Sequence, residues 1–445
     1  MVANRREVVI TGLGPITAAG VGLEAFWNAL VEGKSLIRRI ARFDPSGFPC
    51  QYAAELADEA FDVKSVVPKS YRKATKVMAR DIELAVGAAA SAVSDAGLVT
   101  KAVDPEKPAT IRPERFGCQI GAGLIAADVD ELSAALTTSR SADGRFDMAH
   151  WGQTGMQNLT PLWLLKYLPN MLACHVTIIH DCQGPSNTIT CAETSAALSL
   201  GESMRVIQRG AADACLTGGA EHKTNPMGLL RQIYSGRLMR VEGEVADAGG
   251  LVKPFDEGAN GTLLGEGGGI LVVEAAATAR ARGAKVYARV SGFAATQSVL
   301  KDVSHARGVA DDPGYEDAMR SAMEAASVNA EEVDAIVPFG SGTRDMDVME
   351  AEAIAKVFGN RAKEVELITV IPNFGNCCAG AGALSIIAGA MAVREQKLPA
   401  RLNTKNAKGL NANARGAKDA KLRNVLVMSS GMGGQNAGMV LSRID

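Results

Sequence analysis

The chain has 445 residues, with 47 Lys and Arg against 49 Asp and Glu, for a formal net charge of -2. That length builds two or three ordinary domains or one large duplicated fold, and the near-neutral charge removes any global reason to expect a nucleic-acid partner. Apolar residues make up 47% of the chain and aromatic ones only 4%, with 47 glycines, a balance that points to closely packed helices and tight turns in a layered α/β protein.

The eight cysteines (50, 118, 174, 182, 191, 215, 377 and 378) form no C-x-x-C pair and no zinc-site spacing, so they read as reduced core residues of a cytoplasmic protein, with no metal and no cofactor expected. The start, "MVANRREVVITGLG", runs straight into a strand pattern instead of a signal core. No stretch reaches the ~18 uninterrupted apolar residues of a membrane span.

In chain order, "REVVITGLG" reads as a buried strand ending in glycines, and "LEAFWNALVEG" as a helix. A long Ala-rich helix follows over 81–96, then the strand "RFGCQIGAGL" and helical material interrupted at Pro169. "GPSNTITCAETSAALSLGESM" joins a strand to a helix through a small-residue bend, and "GAADACLTGGAE" and "GGGILVVEAAATARARGA" continue the alternation. The order then repeats from "KVYARVSGFAAT" onward, ending in two strands around the glycine loop of "SGMGGQNAG".

Each half holds one helix of almost only Ala, Gly, Ser and Leu or Ile, at 192–207 and 379–393. A helix without a polar face must be buried on most sides, which predicts a central helical layer between two sheets. The expected fold is a five-layered αβαβα sandwich of two pseudo-duplicated halves, 1–275 and 276–445. The N-termini of the two buried helices, near Glu193 and Asn376, then meet at the centre.

Several residues carry two readings. "TCAE" fits a capping box in which Thr190 caps the helix and Glu193 returns a hydrogen bond; alternatively Glu193 is a buried carboxylate acting as a base or filling a pocket. Cys191 reads as packing, as do Cys377 and Cys378 unless the helix dipole lowers their pKa. Asn373 and Asn376 either donate into a central cavity or satisfy turn backbone. The loop glycines Gly431, Gly433 and Gly434 make a tight connection or an oxyanion hole. Lys69, Lys73, Lys76 and Arg80, with Arg72 nearby, form a basic helical face that is either solvated or a docking surface.

The landmarks "VVITGLGPITAAG", "GPSNTIT", "GAADACLTGGAE", "KPFDEGANGTLLGEGGGILVVE" and "SGMGGQNAGMVL" together resemble the elongating β-ketoacyl-acyl-carrier-protein synthases of the thiolase superfamily over essentially the whole chain. The resemblance implies a dimer, an acyl chain on the phosphopantetheine arm of an acyl carrier protein, and a nucleophilic Cys supported by two His and a Lys. Counting from the flanking motifs puts Glu193 at the nucleophile position, Phe339 and Asn376 at the two histidine positions, and Ile371 at the lysine position. Met432 falls where the family has a gating aromatic, and the basic face resembles the family's carrier-docking surface. The expectation is therefore a non-condensing partner similar to the chain-length factors of polyketide and polyene systems, as a heterodimer with an active ketosynthase or a homodimer. The alternative is an acyl-thioester decarboxylase or hydrolase using Glu193.

Overall fold

The computed structural model describes residues 6–302, 307–308, 313–431 and 433–444. Two sets of five strands carry the architecture. The first set is β1 (Val8–Thr17), β2 (Phe116–Gly121), β3 (Ser186–Ile189), β4 (Ala214–Glu221) and β5 (Gly267–Ala275). The second is β6 (Ala288–Gln297), β7 (Ala335–Val337), β8 (Glu366–Leu367), β9 (Asn424–Ser430) and β10 (Gln435–Ser442). Spatial order is β3-β2-β4-β5-β1 in one and β8-β7-β9-β10-β6 in the other. Counted within its own half, each set reads 3-2-4-5-1, and the fifth strand runs antiparallel to both neighbours.

The two sheets are not separate, as the sequence had suggested. β1 and β6 pair antiparallel at Val9 with Arg289 and Ile10 with Ala288. Each first strand would otherwise expose an unpaired edge, and the seam satisfies both.

Between the sheets lie α3 (Ser195–Gln208) and α6 (Ala381–Glu395), which pack on each other and on strands of both halves. Every residue from Ala381 to Val393 is buried. With its lead-in, Cys378–Glu395 is long and apolar enough to cross a membrane, yet 89% of it is buried inside the fold, so it is a core helix. On the outside of the first set lie α1 (Arg80–Asp95) and α2 (Met171–His180). On the outside of the second, α4 (Gly314–Ala326) and α5 (Arg344–Phe358) share an apolar cluster with Leu426 and Val440 through Met319 and Ile354.

The basic segment Lys69–Val77 is a 3-10 helix behind Pro68, not an α-helix, because α1 begins only at Arg80. Lys69, Arg72, Lys73 and Lys76 are exposed. Arg80 leaves that face and pairs with Glu83 at 3.5 Å and Glu266 at 3.5 Å.

The glycines of β1 let α1 come into backbone contact. A Cβ on Gly14 would lie 2.1 Å from the Ala88 carbonyl oxygen and 2.5 Å from the Ala92 nitrogen. Gly14→Ala is therefore expected to lower urea-unfolding stability by about 2–3 kcal/mol, as overpacking against backbone does. Gly47→Ala, with nothing within 4 Å, should stay within about 0.5 kcal/mol.

Candidate functional site

The two central helices begin on matching elbows. Ala192 (φ 48°) opens the 3-10 turn Ala192–Thr194 before α3, and Cys378 (φ 47°) opens Cys378–Gly380 before α6. A left-handed conformation in a residue with a Cβ costs about 1–2 kcal/mol, so both bends are held by their surroundings. At the first, the Ser195 hydroxyl accepts from the Cys191 N–H at 2.8 Å and donates to the Ala192 carbonyl at 2.6 Å. At the second, Asn376 Oδ1 accepts from the Cys378 N–H at 2.9 Å, and Glu221 Oε2 accepts from the Ala379 N–H at 2.7 Å.

Glu193 sits at the tip of the first elbow and is 1% exposed. The capping box does not form: Thr190 is exposed and the Glu193 side chain turns inward instead. Its Oε1 accepts from Arg237 Nη2 at 2.7 Å and from Asn376 Nδ2 at 3.1 Å. Burial alone would push this carboxyl up, but the Arg237 charge and the two hydrogen bonds outweigh it and hold it below the ordinary value. Arg237, 3% exposed, is otherwise poorly satisfied, with Nη1 at 3.6 Å from Met346 Sδ and Nε without a partner.

The remaining counted positions converge on the same place. Phe339, Ile371 and Cys378 belong to one buried apolar cluster with Met239 and Leu264. The Phe339 ring is placed by α5: Glu350 accepts from the N–H groups of Phe339 and Gly340, each at 2.8 Å, and from the Tyr315 hydroxyl. Asp347 accepts from the Gly342 and Phe255 N–H groups at 3.1 and 2.8 Å. Burial pushes both carboxyls up to about 7, against the pull of those N–H groups. The cavity left beside Phe339, Met346, Met349, Ser430 and Gly431 is about 20 Å3, room for roughly one water.

Other expectations resolve differently. Asn373 does not face this cavity; its Nδ2 donates to the Lys34 and Ala29 carbonyls at 2.9 and 3.4 Å. The Gly431 and Gly434 N–H groups are engaged within the β9–β10 hairpin, to Gln435 and Gly431 carbonyls at 2.8 and 3.0 Å, and Gly433 is exposed. The loop is thus a tight strand connection, with no oxyanion hole formed by Gly431 and Gly434; Met432 lies outside the described residues. Cys377 and Cys378 have their thiols pushed up, first by burial and then by nearby carboxylates including Glu221, the direction opposite to activation. The Cys191 thiol is likewise raised by burial.

Sequence reasoning missed Arg237, the Asp347 and Glu350 pair, and two buried ionic groups flanking the second elbow. Glu221 pairs with Lys223. Glu266, fully buried, accepts from Arg42 at 2.7 Å and lies 2.7 Å from His222, which together hold it well below the ordinary carboxylate range despite burial. The D-x-x-E spacing after "GSGT" is a signal that could have found Asp347 and Glu350; nothing local marks Arg237.

Family models describe both halves: "Beta-ketoacyl synthase, N-terminal domain" matches residues 5–279 and "Beta-ketoacyl synthase, C-terminal domain" matches residues 287–405. The chain belongs to the β-ketoacyl synthase family. It is 32% identical over 447 aligned positions to "3-oxoacyl-[acyl-carrier-protein] synthase 2" of Coxiella burnetii, covering 99% of each chain. It is 30% identical to the "Tetracenomycin polyketide synthase ketoacyl synthase beta subunit" of Streptomyces glaucescens, covering 98% of each. Among solved structures, "The ishigamide ketosynthase/chain length factor" superposes with a TM-score of 0.80 at 27% identity, covering 99% of this chain and 100% of that one.

Two variants read the site's electrostatics. Arg237→Met leaves a buried carboxylate uncompensated and should cost about 3–5 kcal/mol in urea unfolding at pH 7; Glu193→Gln/Arg237→Met should recover most of it. A carboxyl lowered in the fold stabilises above its unfolded pKa and loses that contribution as pH falls through its folded one, so the gap between wild type and Arg237→Met should narrow as pH falls below the ordinary glutamate value of 4.5. Glu350 has the opposite sign. A raised carboxyl contributes fully below ~4.5 and loses its contribution as pH rises through about 7, so wild type should lose about 3 kcal/mol against Glu350→Gln between pH 4 and 8.

Proposed function

We propose that this chain is a non-condensing member of the β-ketoacyl synthase family that pairs with a cysteine-bearing ketosynthase in fatty-acid or polyketide-type chain assembly. Residues 1–275 and 276–445 are taken as its two thiolase-like halves. The observation that carries the reading is the Glu193–Arg237–Asn376 cluster, buried where counting puts the family's nucleophile and second histidine. A carboxylate already engaged by a guanidinium and an amide is not the activated thiolate on which the family's acyl transfer rests. Phe339 and Ile371, at the other two positions, supply neither proton nor charge.

The geometry supports this reading over an acyl enzyme based on Glu193. An oxygen already accepting from a guanidinium and an amide is a poor base. Two of the three named relatives support it: one is a ketoacyl synthase beta subunit and another a ketosynthase/chain length factor, whereas the third is a 3-oxoacyl-[acyl-carrier-protein] synthase 2.

A pairing surface is available. β3 is an edge strand bonded only to β2, with Ser186 and Asn187 exposed, and Leu124, Leu162, Leu164 and Ile178 are 56–65% exposed. An open strand edge invites a second strand, and exposed apolar side chains suit a contact surface where they adjoin. The exposed Lys69, Arg72, Lys73 and Lys76 suit an acidic acyl carrier protein.

Co-expression with the cysteine-bearing ketosynthase of the same organism should yield a heterodimer by light scattering, and condensation should require both chains. This chain alone should leave acyl- and malonyl-carrier thioesters unchanged, as read by mass spectrometry. Turnover by the isolated chain, or no association with a ketosynthase, overturns the reading. Lys73→Glu/Lys76→Glu should weaken carrier binding by about tenfold at low salt, with the difference shrinking as salt rises.

A further inference from the structure

Arg237 is an unusual buried cation. Its side chain is 3% exposed, one nitrogen meets Glu193, a second meets only the sulfur of Met346, and Nε has no partner. Thioether sulfur is a weak acceptor, and a buried N–H without a proper acceptor is costly. Met346 also lines the small cavity that opens toward Ser430, Gly431 and Gly434, beside the exposed Gly433. Among the described residues, Met346 both contacts Nη1 and lines that cavity, and its side chain is a flexible one, of the type that repacks most readily.

We propose that Arg237 and Met346 form a latent subsite in which Met346 is a movable plug and Arg237 reads an acyl carbonyl oxygen. The inference rests on the family membership above and names a group at none of the four counted positions. The ligand class follows from charge. Glu193 already neutralises the guanidinium, so a second carboxylate would bring an excess negative charge into the core. A neutral carbonyl supplies the missing acceptor without one, and the thioester of an acyl-cysteamine arm presents such a carbonyl at the end of a thin chain. The subsite binds and does not react: no bond is made or broken.

The test uses the full chain and two synthetic probes, S-acetyl-N-acetylcysteamine, a thioester, and S-ethyl-N-acetylcysteamine, the thioether lacking that carbonyl. Affinities are read by calorimetry or saturation-transfer NMR. Met346→Ala should bind the thioester at least tenfold more tightly than wild type does, and at least tenfold more tightly than it binds the thioether. In Glu193→Gln/Arg237→Met/Met346→Ala, shown to be folded by circular dichroism, the two probes should bind alike. The proposal is overturned if Met346→Ala fails to bind the thioester or binds both probes equally, or if the folded triple variant still prefers the thioester. Should the triple variant not fold, the comparison of probes on Met346→Ala decides alone. Association with a ketosynthase is a separate readout, so a failed subsite leaves the partner reading standing, and a failed partner reading leaves the probe comparison intact.

Discussion

A carboxylate in a core survives only if something nearby carries the opposite charge, and at the centre of this molecule that partner is Arg237. The pair joins two parts of the chain that share no secondary structure: the elbow before α3 and the irregular stretch after residue 235. Asn376 adds the elbow before α6, so a single carboxyl oxygen ties both central helices to one loop. Burying two charges is expensive. Under the proposed function, the pair stands in place of a reactive group at this elbow.

The surroundings are apolar and held in place. Phe339 is buried in an apolar cluster, and α5 fixes its loop through two buried carboxyls that grip the backbone. The second elbow carries its own compensated charge in Glu221 and Lys223. The left-handed Ala192 and Cys378 show that the strained bend persists in both halves. The two bends fix where α3 and α6 start, and the packing of the central layer depends on those starts.

Much of the fold was legible because its cause is local. The two helices without a polar face had to be buried, and the repeated element order became the repeated 3-2-4-5-1 topology. The seam between β1 and β6 was not legible, since edge pairing is decided by how two finished sheets meet. Glu193 and Asn376 could be placed by counting, but their contact could not. "TCAE" satisfies the local pattern of a capping box, and the tertiary pull of Arg237, 44 residues away, overrides it. The basic stripe failed at Arg80 for a related reason: an α-helical period does not hold across the 3-10 turn Lys69–Val77, and buried Glu266 claims that arginine.

The ionisation of Glu193 tests this account most directly. With carboxyl carbons labelled in glutamate, the Glu193 resonance, assigned by its loss in Glu193→Gln, can be followed by carbon NMR as pH is lowered. A carboxylate paired with Arg237 and Asn376 should remain ionised from neutral pH down to below the ordinary glutamate value of 4.5. Titration above pH 6 would mean that burial outweighs the pair, and would contradict a charge-compensated elbow.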